Sequence, residues 1–436
     1  MSALPRIAAI DATLLDATFK GYPGTAPPTP LGDLAGRRWN VLSEDVPFPV
    51  AVIKRSSLDH NRDWMKRFLA AAGAQLCPHG KTTMSPQLFA AQLEDGAFGI
   101  TCATVSQLQV YRRFGVRCVV MANQVIGRQE IGYVLGELAR DPAFELYLVV
   151  DSVAGIERLA DAARAMELKR PVRLLIEVGI GGMRTGTRSM RAVEALVAAI
   201  ESHRPWVEIH GVESFEGVLD ASDPGCDRTL AALLSFQLEA SRFARRSQAA
   251  SRDAPWILTA GGSAFFDVVA ARLAEGVEGG ETIVVLRSGC YLTHDHTAYA
   301  NAQRARAVRS ALVAELGEGF RPALEVWTHV QSRPESDHAY LTAGKRDVSF
   351  DLDLPRPVAW FRPGSKGAPQ PLESGYHIVK LNDQHAYLRL PPESPLEVGD
   401  LVALGISHPC TTFDRWQLLY LVEDDYTIVD AIRTFF

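Results

Sequence analysis

The sequence predicts an α/β protein, built as a (β/α)8 barrel of the TIM type followed by an antiparallel β domain. Eight short apolar runs, most of them separated by a helix-length segment, follow one another between Gln75 and Leu286. Such alternation is typical of a closed parallel barrel. After about residue 305 the apolar runs become short and alternating, with Pro and Gly turns, which indicates antiparallel strands. We therefore expect an N-terminal arm at 1–48, a barrel at 49–305 and a β domain at 306–436.

The elements follow in order along the chain. Prolines between Gly21 and Pro30 remove backbone donors and predict an extended arm that wraps the surface. Val50 to Lys54 is predicted to form a strand, and Ser57 to Leu69 a helix with one apolar face. The eight predicted barrel strands are Gln75–Cys77, Gly99–Ala103, Cys118–Ala122, Glu145–Val150, Val172–Val178, Glu208–Ser214, Trp256–Ala260 and Thr282–Leu286.

The amino-acid composition argues against some classes of binding partner. The net charge of −6 arises from 45 basic and 51 acidic residues without long runs of one sign, which argues against nucleic acid and against a polybasic membrane surface. Six cysteines without a CxxC pair fit a reducing cytosol. The N-terminus has no signal-peptide pattern, and no apolar run reaches the roughly 18 residues that span a bilayer. We expect a cytoplasmic protein whose partners are a small molecule and a second copy of itself.

Two distant motifs carry the candidate chemistry. Lys81, in Pro78-His79-Gly80-Lys81-Thr82, follows a short apolar strand, where partial desolvation would free its amine for Schiff-base chemistry. The alternative is an ordinary solvated loop lysine. His408 and Cys410 stand two positions apart near the end of the chain, and both side chains are suited to zinc. The alternative is a chance pair with a small apolar cysteine.

Glycines at the ends of the last two barrel strands form a third candidate feature. Gly261, Gly262 and Gly289 allow backbone N–H groups to approach a phosphate, and the Ser263 hydroxyl adds a donor. The alternative is that these glycines only make tight turns. Their position favours phosphate, because loops after the seventh and eighth strands often bind it in this architecture. A lysine after the first strand and a phosphate cradle after the last two describe a pyridoxal phosphate site.

From about Pro49 to Phe436 the chain resembles the fold-type III pyridoxal phosphate enzymes, which have the alanine racemase fold. Within them it is most similar to the D-serine dehydratase and D-threonine aldolase branch, and in particular to bacterial amino-acid deaminases described as D-serine deaminase-like. The residues that carry this resemblance are Leu58-Asp59-His60-Asn61, Pro78-His79-Gly80-Lys81-Thr82, Ala343 to Ser349, Asp383-Gln384-His385 and His408-Pro409-Cys410.

The resemblance implies a role for each candidate residue. Lys81 would hold pyridoxal phosphate, Arg184 would lie beside its ring, and His408 and Cys410 would bind zinc or another divalent metal. The residues expected around the phosphate are Gly261, Gly262, Ser263, Gly289 and Cys290. The resemblance also implies a homodimer. Two segments depart from the family pattern. Thr83-Met84 replaces His-Lys, and Phe215 replaces a tyrosine, so that a hydroxyl partner for the cofactor is either missing or supplied by Glu213.

The expected activity is the conversion of a D-3-hydroxy amino acid, such as D-serine or D-threonine, to a 2-oxo acid and ammonia. Cys410 favours this dehydration, because the resembling aldolases carry Asp at that ligand position. The alternatives are D-threonine aldolase-type cleavage, an amino-acid racemase, or a non-catalytic cofactor carrier, which would lack the second domain. His294-Asp295-His296 has the composition of a metal motif but is expected either to flank the phosphate turn or to lie solvated at the barrel rim. Cys77, Cys102, Cys118 and His210 are expected in the core.

Overall fold

The structure is a computed structural model that describes residue 4 and residues 6–221, 223–277 and 281–436. Its first domain confirms the predicted barrel. Eight parallel strands follow one another around the sheet in sequence order, and the eighth pairs with the first through Leu286 and Leu76. These strands are Gln75–Leu76, Ile100–Cys102, Cys118–Met121, Glu145–Val150, Val172–Val178, Val207–Ser214, Trp256–Ala260 and Thr282–Leu286.

The ring of strands closes between the first and second strands. A parallel bridge joins His79 to Thr101, and the Thr101 amide donates to the Pro78 carbonyl at 2.9 Å. Alternate side chains point inward and fill the barrel with a packed layer rather than a channel. The buried members of this layer are Cys77, Val120, Tyr147, Val149, Leu175, Ile257 and Val285.

Helices surround the barrel, and their ends follow the local sequence. Thr104, Ser152 and Ser189 each accept a hydrogen bond from the first turn of the helix that they precede. Gly73 and Gly115 end two helices with positive φ, which glycine adopts without strain. The helices longer than five residues are Arg55–Ala72, Pro86–Glu94, Val105–Phe114, Arg128–Arg140, Val153–Ala165, Met190–Ser202, Cys226–Arg245, Phe266–Ala274 and Ala298–Arg309.

The second domain is largely antiparallel, as predicted. Its strands are Leu324–Glu335, His338–Leu341, Arg356–Phe361, Gln370–Pro371, His377–Leu381, Ala386–Arg389, Leu401–Gly405, Leu418–Val422 and Ile428–Arg433. Leu324–Glu335 pairs with His338–Leu341 along one part and with Leu401–Gly405 along another. The shared strand therefore links the two halves of this sheet.

One strand lies in a different domain from the one that the sequence suggests. Val50–Lys54, assigned above to the barrel, pairs antiparallel with Leu324–Glu335 and parallel with Leu418–Val422. The chain thus contributes Val50–Lys54 to the sheet of the second domain and then enters the barrel through the helix Arg55–Ala72. An apolar run predicts a buried strand, but it does not identify which strand will be its neighbour.

The N-terminal arm packs against the second domain. The Tyr420 hydroxyl donates to the Gly21 carbonyl at 2.9 Å, and the Lys20 ammonium lies 2.6 Å from the Asp347 carboxylate. The arm contains short regular elements as well as extended backbone. These are the helix Ala8–Asp11, the paired strands Leu14–Leu15 and Thr29–Pro30, and the 3-10 turns Leu31–Arg37 and Val41–Ser43. Within the described residues, no helix has the length and apolar character needed to cross a bilayer.

Candidate active site

One cleft lies where the barrel strands end and the second domain begins. It brings together all nine candidate residues, although they come from five separate segments of the chain. These residues are Lys81, Arg184, Gly261, Gly262, Ser263, Gly289, Cys290, His408 and Cys410. The loops that follow parallel strands meet at the same end of a barrel, and this places the four barrel segments side by side.

The lysine segment is held against the end of the eighth strand. Lys81 lies in the 3-10 turn Gly80–Thr82, and the His79 amide donates to the Arg287 carbonyl at 3.1 Å. Lys81 is half-buried at the wall of the cleft. The neighbouring His79 lies close to several basic side chains. Burial, together with the charges of Lys81, Arg287 and Arg184, lowers the pKa of its imidazole well below the usual range.

Arg184 lies at the exposed mouth of the cleft. Its guanidinium stands 4.8 Å from the centre of the Phe215 ring and donates to the Asn123 side-chain oxygen at 3.1 Å. Phe215, which departs from the tyrosine of the resembling enzymes, therefore supplies an aromatic face rather than a hydroxyl. Glu213 is turned toward another partner, the guanidinium of Arg287, at 2.7 Å.

The buried pair of Arg287 and Glu213 forms part of the cleft wall and was not singled out as a pair from the sequence. Arg287 also donates to Thr259 Oγ1 at 2.8 Å and to the Ser214 carbonyl at 2.9 Å. Burial raises the pKa of the Glu213 carboxyl to about 8, although the neighbouring Arg287 acts in the opposite direction. One sequence feature could have pointed to Arg287 as a cleft residue: it directly follows a barrel strand and stands two residues before Gly289.

The glycine loop after the seventh strand has an internal partner. The Gly261 and Gly262 amides donate to the Glu216 carboxylate at 3.0 and 2.6 Å, and Glu216 is fully buried. These two amides were expected to face a phosphate, and in this structure a carboxylate engages them. The loop is also tied to the eighth strand, because Ser288 Oγ donates to the Gly262 carbonyl at 3.0 Å. Glu216 therefore sets the shape of the loop that carries Ser263.

Three metal-ligating side chains converge on one side of the cleft. The donor atoms of Cys290, His408 and Cys410 all lie within 4.8 Å of one another. Cys290 Sγ and Cys410 Sγ are 3.6 Å apart, and Thr82 Oγ1 lies 3.4 Å from Cys410 Sγ. Cys290, expected beside the phosphate, thus reaches the histidine and cysteine pair from the barrel side. His294 and His296 are absent from this group of described residues.

The electrostatics of the group favour a cation. A hydrogen bond from Cys290, assisted by His408 and opposed by burial, holds the pKa of the Cys410 thiol well below its usual range. Burial lowers the pKa of His408, but contacts with Cys410 and Asp351 outweigh it and raise the value to about 9. His408 Nδ1 lies 2.6 Å from the Asp351 carboxylate. Asp351, which carries no sequence signal, thereby fixes the orientation of the ring.

The residues of the cleft fit the two groups that the sequence implies, pyridoxal phosphate and a divalent metal. The electropositive wall of Lys81, Arg184 and Arg287 suits an anionic phosphate, and the close approach of Gly289 to the lysine turn leaves no room there for a side chain. Two thiols and an imidazole form a donor set suited to zinc. Lys81 would hold the cofactor, and His408 and Cys410 would hold the metal.

Comparison with known proteins agrees with this fold. The chain is 24% identical to D-threonine aldolase of Arthrobacter sp over 404 residues, which cover 91% of this chain and 93% of that protein. It is 30% identical to D-threo-3-hydroxyaspartate dehydratase of Delftia sp. (strain HT23) over 138 residues, or 32% of this chain and 35% of that one. The crystal structure of D-threonine aldolase from Filomicrobium marinum superposes with a TM-score of 0.72 at 22% identity, covering 89% of this chain and 95% of that one.

A parallel barrel with a lysine at its mouth and an antiparallel second domain defines the class of fold-type III pyridoxal phosphate-dependent enzymes. The chain belongs to the family "Alanine racemase, N-terminal domain", whose model matches residues 53–271, about half of the sequence. Residues 323–422 match the family "Putative serine dehydratase domain". With the aldolase and dehydratase relatives, these matches make the protein a pyridoxal phosphate-dependent lyase.

Proposed function

We propose that this protein removes water from a D-3-hydroxy amino acid and releases a 2-oxo acid and ammonia, using pyridoxal phosphate and zinc. One observation carries the proposal. Lys81, from the turn after the first barrel strand, and the His408 and Cys410 pair, from the second domain, line the same cleft. A base for the α-carbon and a metal for the β-hydroxyl are the two groups that this elimination requires.

Lys81 acts on the α-carbon. Pyridoxal phosphate, when bound, supplies an electron-poor ring that stabilises the charge left when the α-proton is removed. The Lys81 amine takes that proton from one face of the substrate, which gives the reaction its preference for one enantiomer. The turn Gly80–Thr82 fixes where the amine enters the cleft, because the loop of the eighth strand packs directly against it.

His408 and Cys410 act on the β-hydroxyl. Zinc held by this pair would supply Lewis acidity, which would make the β-hydroxyl a better leaving group. Asp351 keeps the imidazole of His408 in place through the 2.6 Å contact with Nδ1. Loss of water gives an enamine that hydrolyses to the 2-oxo acid and ammonia, so no oxidant or reductant is consumed.

Retro-aldol cleavage is the second candidate. The relative that aligns with 91% of this chain is a D-threonine aldolase, and the same cleft could cleave the Cα–Cβ bond if the hydroxyl proton were removed instead. Cys410 favours dehydration, because the resembling aldolases carry an aspartate at this position. The products separate the two reactions: a 2-oxo acid with ammonia, or an aldehyde with glycine.

The test is product analysis with enzyme loaded with pyridoxal phosphate and zinc. D- and L-serine, D- and L-threonine and D-3-hydroxyaspartate are supplied, and 2-oxo acid, ammonia, aldehyde and glycine are measured. We expect 2-oxo acid and ammonia in equal amounts from the D-enantiomers, and a loss of about 1,000-fold in turnover for Lys81→Ala. Lys169→Ala, at a lysine whose side chain is 89% exposed, is the matched control and should retain full activity.

Three outcomes would reject parts of the proposal. Aldehyde and glycine as the main products would assign the aldolase reaction. Equal turnover of L-serine would reject the stereochemical preference, and an unchanged rate in Lys81→Ala would reject the role of the lysine. The homodimer and the cytoplasmic location implied by the resemblance and the composition stay predictions.

A further inference from the structure

We propose that Cys290 is a third protein ligand of the metal, so that two sulfurs and one imidazole hold it across the junction of the two domains. This inference rests on the proposed function for the presence of a metal and adds a ligand to it. Cys290 was expected beside the phosphate. Its Sγ instead stands 3.6 Å from Cys410 Sγ, in a group with His408 whose donor atoms lie within 4.8 Å of one another.

The spacing of the two sulfurs matches a shared metal. Zinc–sulfur bonds of about 2.3 Å at the tetrahedral angle place two sulfurs about 3.8 Å apart. The observed 3.6 Å is close to this value, whereas a disulfide requires about 2.0 Å. Both cysteines are free thiols in the structure. The backbone therefore already holds the two sulfurs at the separation that a zinc ion requires.

Each ligand is held by its own element. Cys290 is buried at 5% exposure in the loop after the eighth barrel strand, and its carbonyl accepts from the His294 amide at 2.8 Å. Cys410 begins the short helix Cys410–Phe413 in the second domain. Asp351, which orients His408, also accepts from Thr411 Oγ1 at 2.5 Å. A metal at this point would join the barrel to the second domain.

A third protein ligand would hold the metal tightly and still leave one coordination position free. Catalytic zinc sites generally have three protein ligands and leave a fourth position for water or substrate, and two cysteines with one histidine are an established set. His408 and Cys410 alone would supply one ligand fewer. A second sulfur also favours zinc over magnesium or manganese, which prefer oxygen. The fourth position remains for the substrate hydroxyl.

The test measures the metal rather than turnover. Reduced protein containing pyridoxal phosphate is freed of metal and loaded with one equivalent of zinc, and X-ray absorption counts the sulfur neighbours. Competition with a chromogenic chelator gives the zinc affinity. We expect two sulfurs in the unaltered protein and one in Cys290→Ser, with zinc affinity reduced about 100-fold or more, beyond the loss typical of an outer hydrogen-bond partner. Cys226→Ser, at an equally buried cysteine on a distant helix, should match the unaltered protein.

A second variant distinguishes the loss of a ligand from misfolding of the protein. Cys290→Asp keeps a ligand but changes its atom, so we expect zinc affinity above that of Cys290→Ser with only one sulfur neighbour. One sulfur in the unaltered protein, or unchanged zinc affinity in Cys290→Ser, would overturn the inference. Two sulfurs in a protein that forms no 2-oxo acid would leave Cys290 as a ligand and reject the proposed reaction, so the two failures are distinguishable.

Discussion

At the scale of single residues, His294 shows how burial changes the chemistry of a side chain. It is 2% exposed, and its Nε2 has no hydrogen-bond partner among the described residues. Burial, with smaller contributions from Arg306 and His296, lowers its pKa to about 3. The sequence His294-Asp295-His296 has the composition of a metal motif. The structure uses His294 as a neutral packing residue against Phe320 instead, with ring centres 5.7 Å apart.

This burial predicts a pH dependence of stability. In the unfolded chain a histidine takes up a proton near pH 6.5, whereas folded His294 stays neutral down to about pH 3. Its contribution is therefore complete above about pH 6.5 and is lost as the pH falls toward the folded value. His294→Asn, which tolerates the positive φ of 50° at this position, removes that group.

We expect the free energy of unfolding in urea to fall between about pH 7.5 and about pH 5 in the unaltered protein, and to fall less in His294→Asn. His377→Asn, at an exposed histidine, is the control and should show the unaltered slope. An equal loss of stability in His294→Asn and the unaltered protein would show that His294 does not contribute.

At the scale of elements, the loops after the first and eighth strands form one unit. The Cys77 amide donates to the Leu286 carbonyl at 2.7 Å, so the strand pairing continues to the edge of the cleft. A Cβ on Gly289 would lie 2.6 Å from both the His79 carbonyl oxygen and Thr82 Oγ1. The lysine turn can take its position only because the facing residue has no side chain.

Gly289→Ala should therefore displace the lysine turn and weaken cofactor binding. We expect the dissociation constant for pyridoxal phosphate, measured from the cofactor's absorbance, to rise about tenfold or more, because even 1–2 kcal/mol of strain has that effect. The control is Gly136→Ala, where the added Cβ meets nothing within 4 Å inside the helix Arg128–Arg140. That variant should bind normally and gain about 0.5–1 kcal/mol in stability. Normal cofactor affinity in Gly289→Ala would contradict the close contact.

At the scale of the whole molecule, Asn61 joins three parts of the chain. It is fully buried in the helix Arg55–Ala72. Its Nδ2 donates to the Leu292 carbonyl at 3.0 Å and to the Arg321 carbonyl at 2.8 Å, while its Oδ1 accepts from the Arg321 amide at 2.7 Å. One side chain thus connects the helix Arg55–Ala72, the loop after the eighth strand and the entry to the second domain.

Removal of this side chain should destabilise the whole protein. Asn61→Ala leaves the buried Leu292 carbonyl and the half-buried amide and carbonyl of Arg321 without this partner, and we expect the free energy of unfolding to fall by about 3 kcal/mol or more. Asn61→Asp keeps an acceptor but loses both donated bonds, so its loss should also be large. Asn301→Ala, at an exposed asparagine, should change stability by less than about 0.5 kcal/mol. If Asn61→Ala lowered the free energy of unfolding by only about 0.5 kcal/mol, water would have replaced the hydrogen bonds of the Asn61 side chain.

Much of this architecture was predictable because consecutive residues carry the necessary pattern. The period of apolar side chains marked each barrel strand to within two residues at either end, and the alternation after residue 305 marked the second domain. Lys81 and the glycines of the last two loops were singled out by residue type and position after a strand, and His408 and Cys410 by residue type and their two-residue spacing. The closure of a barrel then requires their loops to meet.

Other features depend on contacts between distant residues, which no local pattern encodes. Val50–Lys54 joined the second sheet because strand pairing depends on which edges meet in space. The Gly261 and Gly262 amides donate to the Glu216 carboxylate. Asp351, which lies 57 residues before His408 in the chain, contacts its imidazole and orients it. Cys290, expected beside the phosphate, has its sulfur within 4.8 Å of the donor atoms of His408 and Cys410, a proximity that arises only when the barrel and the second domain pack together. Residue type marks which groups can do chemistry, whereas three-dimensional packing selects which of them act together.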